Sequence, residues 1–147
     1  MFAMLFPGGQ AELILTGENI FDSGLEIKAQ PYGKSPKKMS LLSGGETALT
    51  ALALLFAVYH TRPSPFYVLD EVEAALDDIN LQRFIRLLKD MKTKTQFIVI
   101  THQRRTMEVA DCLYGVTMQA DGVSKVVSQK ITSDQNQFEV ASEVSVS

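Results

Sequence analysis

From Ala48 to Tyr59 the chain is apolar at every position except Thr50, and only Thr47 separates this run from Leu41-Leu42-Ser43-Gly44-Gly45-Glu46. A helix that is apolar nearly all round must be buried on most of its sides, so the rest of the fold has to be built around it. The run is too short to cross a bilayer, which takes about 20 residues, so protein has to supply the burial. Its start is equally constrained. Ser43-x-x-Glu46 has capping-box spacing, in which the hydroxyl accepts from the backbone N–H three residues on and the carboxylate reaches back. The glycines between them leave backbone N–H groups open at the positive end of the helix dipole, an arrangement that suits a phosphate. From these residues alone two readings stand: a well-capped helix from Glu46 to Tyr59 with no ligand, or a phosphate site.

At 147 residues the chain is about one domain long and can bury a modest core. A formal net charge of −3 provides no global basic field for nucleic acid, so any DNA contact has to come from a local patch or from another part of an assembly. The single cysteine, Cys112, excludes an internal disulfide framework, fits a reducing compartment and is read as a small buried hydrophobe. Met1 to Phe6 is apolar without a basic n-region, so no signal peptide is expected, and the protein reads as cytoplasmic with no membrane partner.

Met1 to Phe6 looks like the end of a helix, closed by a Pro7-Gly8-Gly9 turn. Glu12 to Thr16 and Leu25 to Ala29 are strand-like and suggest an antiparallel pair at the edge of the domain. Between Gln30 and Ser40 lies a Pro-, Gly-, Ser- and Lys-rich loop. Its Gly33-Lys34-Ser35 is not a phosphate loop of the G-x-x-x-x-G-K-[ST] type, because the first glycine would fall on Lys28 and Pro36 stands where a helix should begin. Lys34, Lys37 and Lys38 read first as a solvated basic loop, with contact to phosphates as the lesser alternative. Phe66-Tyr67-Val68-Leu69 enters Asp70-Glu71 as a strand buried on both faces. Asp77-Asp78 caps a second helix, Ile79 to Lys92, with Leu81, Phe84, Ile85, Leu88 and Met91 on one stripe. Gln96 to Ile100 is a further buried strand ending at Thr101-His102. A short helix over Arg104 to Ala110 precedes a hairpin, Leu113 to Met118 and Val123 to Gln129, turning at Ala120-Asp121-Gly122. Residues 132–147 read as a polar, frayed tail behind an ordered unit of residues 1–131.

Strand–helix–strand alternation with short loops points to an α/β fold with a parallel sheet, whose ligands bind at the strands' carboxyl ends. Asp70, Glu71 and His102 all fall at such ends. Asp70 is in the Walker B position, where a carboxylate serves Mg2+, and Glu71 beside it can act as general base toward water. Each also has a plain structural reading, as a cap or a surface charge.

The ordered series Leu42 to Glu46, Phe66 to Glu71, Ala75-Leu76-Asp77 and Thr101-His102 resembles the signature motif, Walker B, D-loop and switch histidine of ATP-binding-cassette ATPases, a branch of the P-loop NTPase superfamily. Leu5 to Gly9, Ser43 to Ala57, Val72 to Asp78, Thr106 to Asp111, Leu113 to Gln119 and Gly122 to Lys125 extend the likeness. They make the chain similar to the C-terminal half of a bacterial SMC (structural maintenance of chromosomes) head, over about residues 1 to 130. The resemblance implies a half-domain with a parallel core, flanking helices and antiparallel edge strands. It implies that Ser43, Gly44 and Gly45 contact the γ-phosphate of ATP held by an opposing head, and that Glu46 and Asp77 belong to the ATP-binding set, Asp77 communicating across the head–head interface. It also implies that Asp70 serves Mg2+, and that Glu71, which activates the water, and His102, the switch residue, are catalytic. Implied partners are the N-terminal head lobe, a second head, a kleisin subunit, and DNA through the full, nucleoid-associated complex in chromosome condensation and segregation. Thr47 departs from the family, which more often has Lys or Arg there, and Gln103-Arg104-Arg105 replaces the commoner Arg-Lys-Gly.

Walker A, Q-loop, coiled coil and hinge are not among these 147 residues, so the isolated chain is expected to bind ATP weakly and to be inactive as an ATPase. Three alternatives remain: a non-catalytic lobe that docks a kleisin, part of a DNA-repair ATPase, and a transporter's nucleotide-binding domain. Val72-Glu73-Ala74 speaks against the last.

Overall fold

A computed structural model describes residues 1–19, 21–118, 122–131 and 140–144, the last five through their backbone. The chain divides into two compact units, Met1–Ile100 and Thr101–Ser147. The first unit contains α1 (Phe2–Leu5), β1 (Gln10–Leu15), β2 (Leu25–Gln30), the short β3 (Lys37–Lys38), a 3-10 turn (Met39–Leu41), α2 (Gly44–Thr61), β4 (Phe66–Asp70), α3 (Asp78–Met91) and β5 (Gln96–Ile100). The second contains α4 (Arg104–Met107), β6 (Cys112–Met118), β7 (Ser124–Lys130) and β8 (Val140–Val144).

β4 and β5 pair in parallel, with Phe66 opposite Gln96 and Asp70 opposite Ile100. Side chains alternate across a strand, so Tyr67, Leu69, Phe97 and Val99 share one face. α2 closes that face through aromatic contacts. The fully buried Phe56 lies edge-on to Tyr59 at 5.8 Å and to Phe97 at 6.3 Å, and 6.2 Å from Phe84 of α3. Tyr59 stacks on Tyr67 at 3.8 Å. The Tyr67 hydroxyl accepts from the Ser64 N–H at 2.8 Å and donates to the Tyr59 carbonyl at 3.4 Å, which fixes the Pro63–Pro65 connection against the helix. α3 buries Leu81, Phe84, Ile85 and Leu88 of the expected stripe and Leu87 besides, keeps Met91 and Arg83 half-buried, and leaves Gln82, Arg86, Lys89 and Asp90 in solvent. α1 adds Leu5 and Phe6 to the core, and the Arg83 guanidinium lies 5.7 Å from the centre of the Phe6 ring.

Several expectations are corrected. The opposite face of the β4–β5 pair is bare: Phe66, Val68, Ile98 and Ile100 are 50%, 53%, 46% and 52% exposed. The strands are therefore buried on one face, because both helices that cover them in this unit pack on the same side. α2 is less enclosed than its composition suggests, since Ala51 and Val58, seven residues apart on one stripe, face solvent. The antiparallel strands do not extend the parallel pair. β1–β2–β3 and β6–β7–β8 are separate three-stranded sheets among the described residues. α2 begins two residues earlier than predicted, at Gly44, and α4 is a single turn ending at Met107. β8 pairs antiparallel with β7, so residues 140–144 of the expected frayed tail form a strand. The hairpin of β6 and β7 matches in register, Cys112 opposite Lys130 to Met118 opposite Ser124, while its expected turn at Ala120-Asp121 lies outside the described residues. Cys112 is exposed rather than buried.

Replacing Phe56 by Ala removes the ring that α2, α3 and β5 share, and should cost about 3–5 kcal/mol of unfolding free energy in chemical denaturation. A loss below about 1 kcal/mol would show that this aromatic cluster does not hold the unit together.

Candidate functional site

The 3-10 turn at Met39–Leu41 delivers the chain to Ser43, whose extended backbone (φ −66°, ψ 160°) makes it the N-cap of α2. The predicted capping box is present. Ser43 Oγ accepts from the Glu46 N–H at 3.4 Å, and Glu46 Oε2 accepts from the Ser43 N–H at 3.2 Å and from the Ser43 hydroxyl at 3.0 Å. Glu46 Oε1 receives the Lys34 ammonium at 2.6 Å. That ammonium, with the Ser43 donors, holds the Glu46 carboxyl below the usual carboxylate range against a smaller opposing effect of burial. The N–H groups of Gly44 and Gly45 have no acceptor among the described residues.

The two glycines differ in what surrounds them. A Cβ on Gly44 would meet nothing within 4 Å, whereas one on Gly45 would stand 3.1 Å from Asn80 Nδ2 and 3.4 Å from Asp77 Oδ2. The start of α2 thus abuts the start of α3. Asp77 caps α3 as predicted, Oδ1 accepting from the Asn80 N–H at 2.8 Å and Oδ2 from the Asn80 side-chain amide at 3.1 Å. Asn80 is buried and accepts from Arg83 at 3.1 Å, so it locks the Asp77 cap in place.

Asp70 is the exposed last residue of β4 and, by alternation, shares the bare face with Phe66 and Val68. Glu71 follows with φ +45°, left-handed backbone that costs an ordinary side chain about 1 kcal/mol or more. Its N–H donates to the Ile100 carbonyl at 2.9 Å, prolonging the β4–β5 ladder, and its carbonyl accepts from Ala74 at 3.0 Å to open the turns that run to Asp77. Among the described residues no three His, Cys, Asp or Glu side chains cluster as a metal site. A lone strand-end carboxylate such as Asp70 still fits Mg2+, which commonly takes one or two protein carboxylates and fills its shell with water and phosphate oxygens. No helix is long and apolar enough to cross a membrane among the described residues.

The structure therefore brings Ser43, Gly44, Gly45, Glu46 and Asp77 together, and joins Asp70 and Glu71 to them through the turns over 71–76. His102 is exposed and lies in the second unit, beyond Thr101, whose hydroxyl accepts from the Gln103 N–H at 2.9 Å. Two residues at this site escape the sequence reading. Asn80 sits three residues after Asp77, a spacing that signals a cap partner, yet only the fold reveals its approach to Gly45. Lys34, read as solvated, is paired with Glu46, and Lys38 likewise with Glu26 at 3.0 Å.

A model of the RecF/RecN/SMC N-terminal domain matches residues 14–125. The chromosome partition protein Smc of Bacillus subtilis is 61% identical over 132 residues, 89% of this chain and 11% of that protein. A solved structure concerned with ATP-driven dimerization and DNA-stimulated activation of SMC ATPases is 53% identical with a TM-score of 0.78, covering 86% of this chain and 77% of that one. An Smc head bound to the C-winged helix domain of ScpA is 51% identical with a TM-score of 0.78, covering 88% of this chain and 40% of that one. The chain spans about a tenth of the length of the curated relatives it matches.

Gly44→Ala should leave the melting temperature unchanged or raised, since a methyl there meets open space and helix propensity favours alanine by up to about 1 kcal/mol. Gly45→Ala should gain less or lose, because its methyl presses on the Asn80 amide. Equal shifts for the two variants in thermal unfolding would contradict the close approach of the two helix starts.

Proposed function

Because the chain belongs to the RecF/RecN/SMC family, whose domain model spans most of it, we propose that it is the C-terminal lobe of an SMC head and completes an ATPase site in chromosome segregation. The order of motifs supports this lobe: signature turn at Ser43–Glu46, Walker B at Asp70-Glu71, D-loop at Asp77 and switch histidine at His102, with no G-x-x-x-x-G-K-[ST] run among the 147 residues. The cradle for the bulk of the nucleotide then comes from an N-terminal lobe. The bare apolar face of β4–β5, with Asp70 at its end, is the surface such a lobe would cover.

The observation that carries the reading is the pair of unused amides at Gly44 and Gly45, beside an open space at Gly44. Anions bind where helix-start N–H groups are left over and nothing occupies the approach. Here the γ-phosphate of ATP held by a second head would approach Gly44 and Gly45, with Ser43 alongside. Asp77 stays committed to the α3 cap and sets the height of the wall beside Gly45. Asp70 would hold Mg2+, whose charge offsets that of the phosphates when it is bound. Glu71, one residue past the strand in a left-handed backbone conformation, would accept the proton of the attacking water, and the order of motifs gives His102 the role of switch residue. DNA would be engaged by the whole complex, since the net charge of −3 gives this lobe no basic field.

A second role can coexist with the first. A similar Smc head is bound to the C-winged helix domain of ScpA, and this lobe would dock a kleisin fragment of that kind. The second unit offers a surface of suitable character, an exposed stripe of Tyr114, Val116 and Met118 on β6.

The chain alone should show negligible ATP hydrolysis, and mixing it with the N-terminal lobe should restore turnover. Glu71→Gln should lower that turnover by about 10²-fold or more, the usual worth of a general base. Turnover by the chain alone that Glu71→Gln abolishes would refute the half-site reading. Kleisin binding without restored turnover would favour the interaction role.

A further inference from the structure

Lys34 lies in the loop between β2 and β3, whose ends are pinned by the pairs Ala29 opposite Lys37 and Lys28 opposite Lys38. Within that loop Pro31 to Lys34 form a tight turn. The Lys34 N–H donates to the Pro31 carbonyl at 3.1 Å, and Gly33 takes the left-handed backbone, φ +75°, that such a turn requires at its third position. The turn presents the ammonium to Glu46, twelve residues away, at 2.6 Å. The Lys34 side chain is 52% exposed and that of Glu46 16%. A pair so open to water contributes little to the stability of the fold. Its effect lies in orientation. With Oε1 held by Lys34, Glu46 turns Oε2 toward Ser43, where it accepts from both the amide and the hydroxyl.

We propose that Lys34 is a positioning residue of the phosphate site: its ammonium fixes the Glu46 carboxylate, and Glu46 in turn fixes the amide and hydroxyl of Ser43 beside the open Gly44 and Gly45 amides. This role rests on the reading of that turn as the surface that meets a nucleotide on a second head. It distinguishes Lys34 from its neighbours, because Lys38 pairs with Glu26 of β2, away from the Ser43 cap. A carboxylate held on one oxygen by a cation and on the other by two donors keeps one orientation, whereas an unpaired one samples several rotamers. Without Lys34 the Ser43 hydroxyl would lose its fixed direction, and the phosphate would have to order the turn on arrival.

Two measurements test this. In the isolated chain, native-state hydrogen exchange at the Ser43 amide should speed up by about tenfold in Lys34→Gln and stay near wild type in Lys34→Arg, with exchange in the middle of α2 unaffected. In the mixture with the N-terminal lobe, Lys34→Gln should lower kcat by about tenfold while KM for ATP moves less than about twofold, because the turn acts after ATP has bound the other lobe. Lys34→Arg should recover most of the loss. Glu46→Gln should reproduce it, and the double variant Lys34→Gln/Glu46→Gln should be no slower than Glu46→Gln alone. Unchanged Ser43 exchange in Lys34→Gln would overturn the proposal, and so would faster exchange with kcat at the wild-type value, which would leave Lys34 a purely local tether. A wild-type mixture that never turns over, or that ignores Glu71→Gln, would sink the nucleotide reading instead. The Ser43 exchange ratio would then decide the Lys34–Glu46–Ser43 linkage by itself.

Discussion

Four backbone N–H groups at the start of any α-helix have no acceptor inside it, and how α2 disposes of its four determines the rest of this molecule's chemistry. The capping box takes the first and the last: Ser43 donates to Glu46, and Glu46 donates back to Ser43. Gly44 and Gly45 are left. A side chain at Gly45 would crowd Asn80, so the second helix start can come close, while Gly44 keeps the approach open. The capping box supports the long apolar helix, while the glycines, which helix propensity does not favour, leave the amides that are proposed to meet an anion.

The core follows from that helix. Phe56, Tyr59 and the leucines of α2 need an apolar partner, and the inner face of β4–β5 with the stripe of α3 supplies it. Once α2 and α3 sit on the same face, their starts are neighbours, and Asp77 comes to stand against Gly45 with no direct sequence link. The cost is a sheet with one bare face. Four half-exposed apolar side chains there, ending at Asp70, make the surface on which a second lobe is proposed to rest.

Local features were legible early. The Ser43–Glu46 box, the Asp77 cap and the stripe of α3 all rest on contacts three or four residues apart, which spacing reveals directly. The apolar strands and the β6–β7 pairing also emerged from pattern. Burial on both faces of β4 did not follow from it. An apolar run reports that a strand can be buried and says nothing of which elements will cover it. Lys34 is exposed, as expected of a solvated loop, but its pairing with Glu46 is not legible in the sequence: the partner is twelve residues away, and a loop lysine in a basic, Pro- and Gly-rich segment looks the same whether it is paired or not.

By itself, then, the sequence determined the longer helices and the paired strands other than β3 and β8, the caps at Ser43 and Asp77 and the order of the chemistry-bearing motifs, along with the resemblance that those motifs carry. Each depends on near neighbours or on fixed spacing, and near neighbours are written in the chain. The tertiary structure alone decided that Gly45 and Asp77 touch, that Lys34 holds Glu46, that Glu71 takes a left-handed backbone, and that one face of the parallel pair is left bare. Those facts depend on which surfaces meet, and the meeting is set by the packing of whole elements, which no local period encodes.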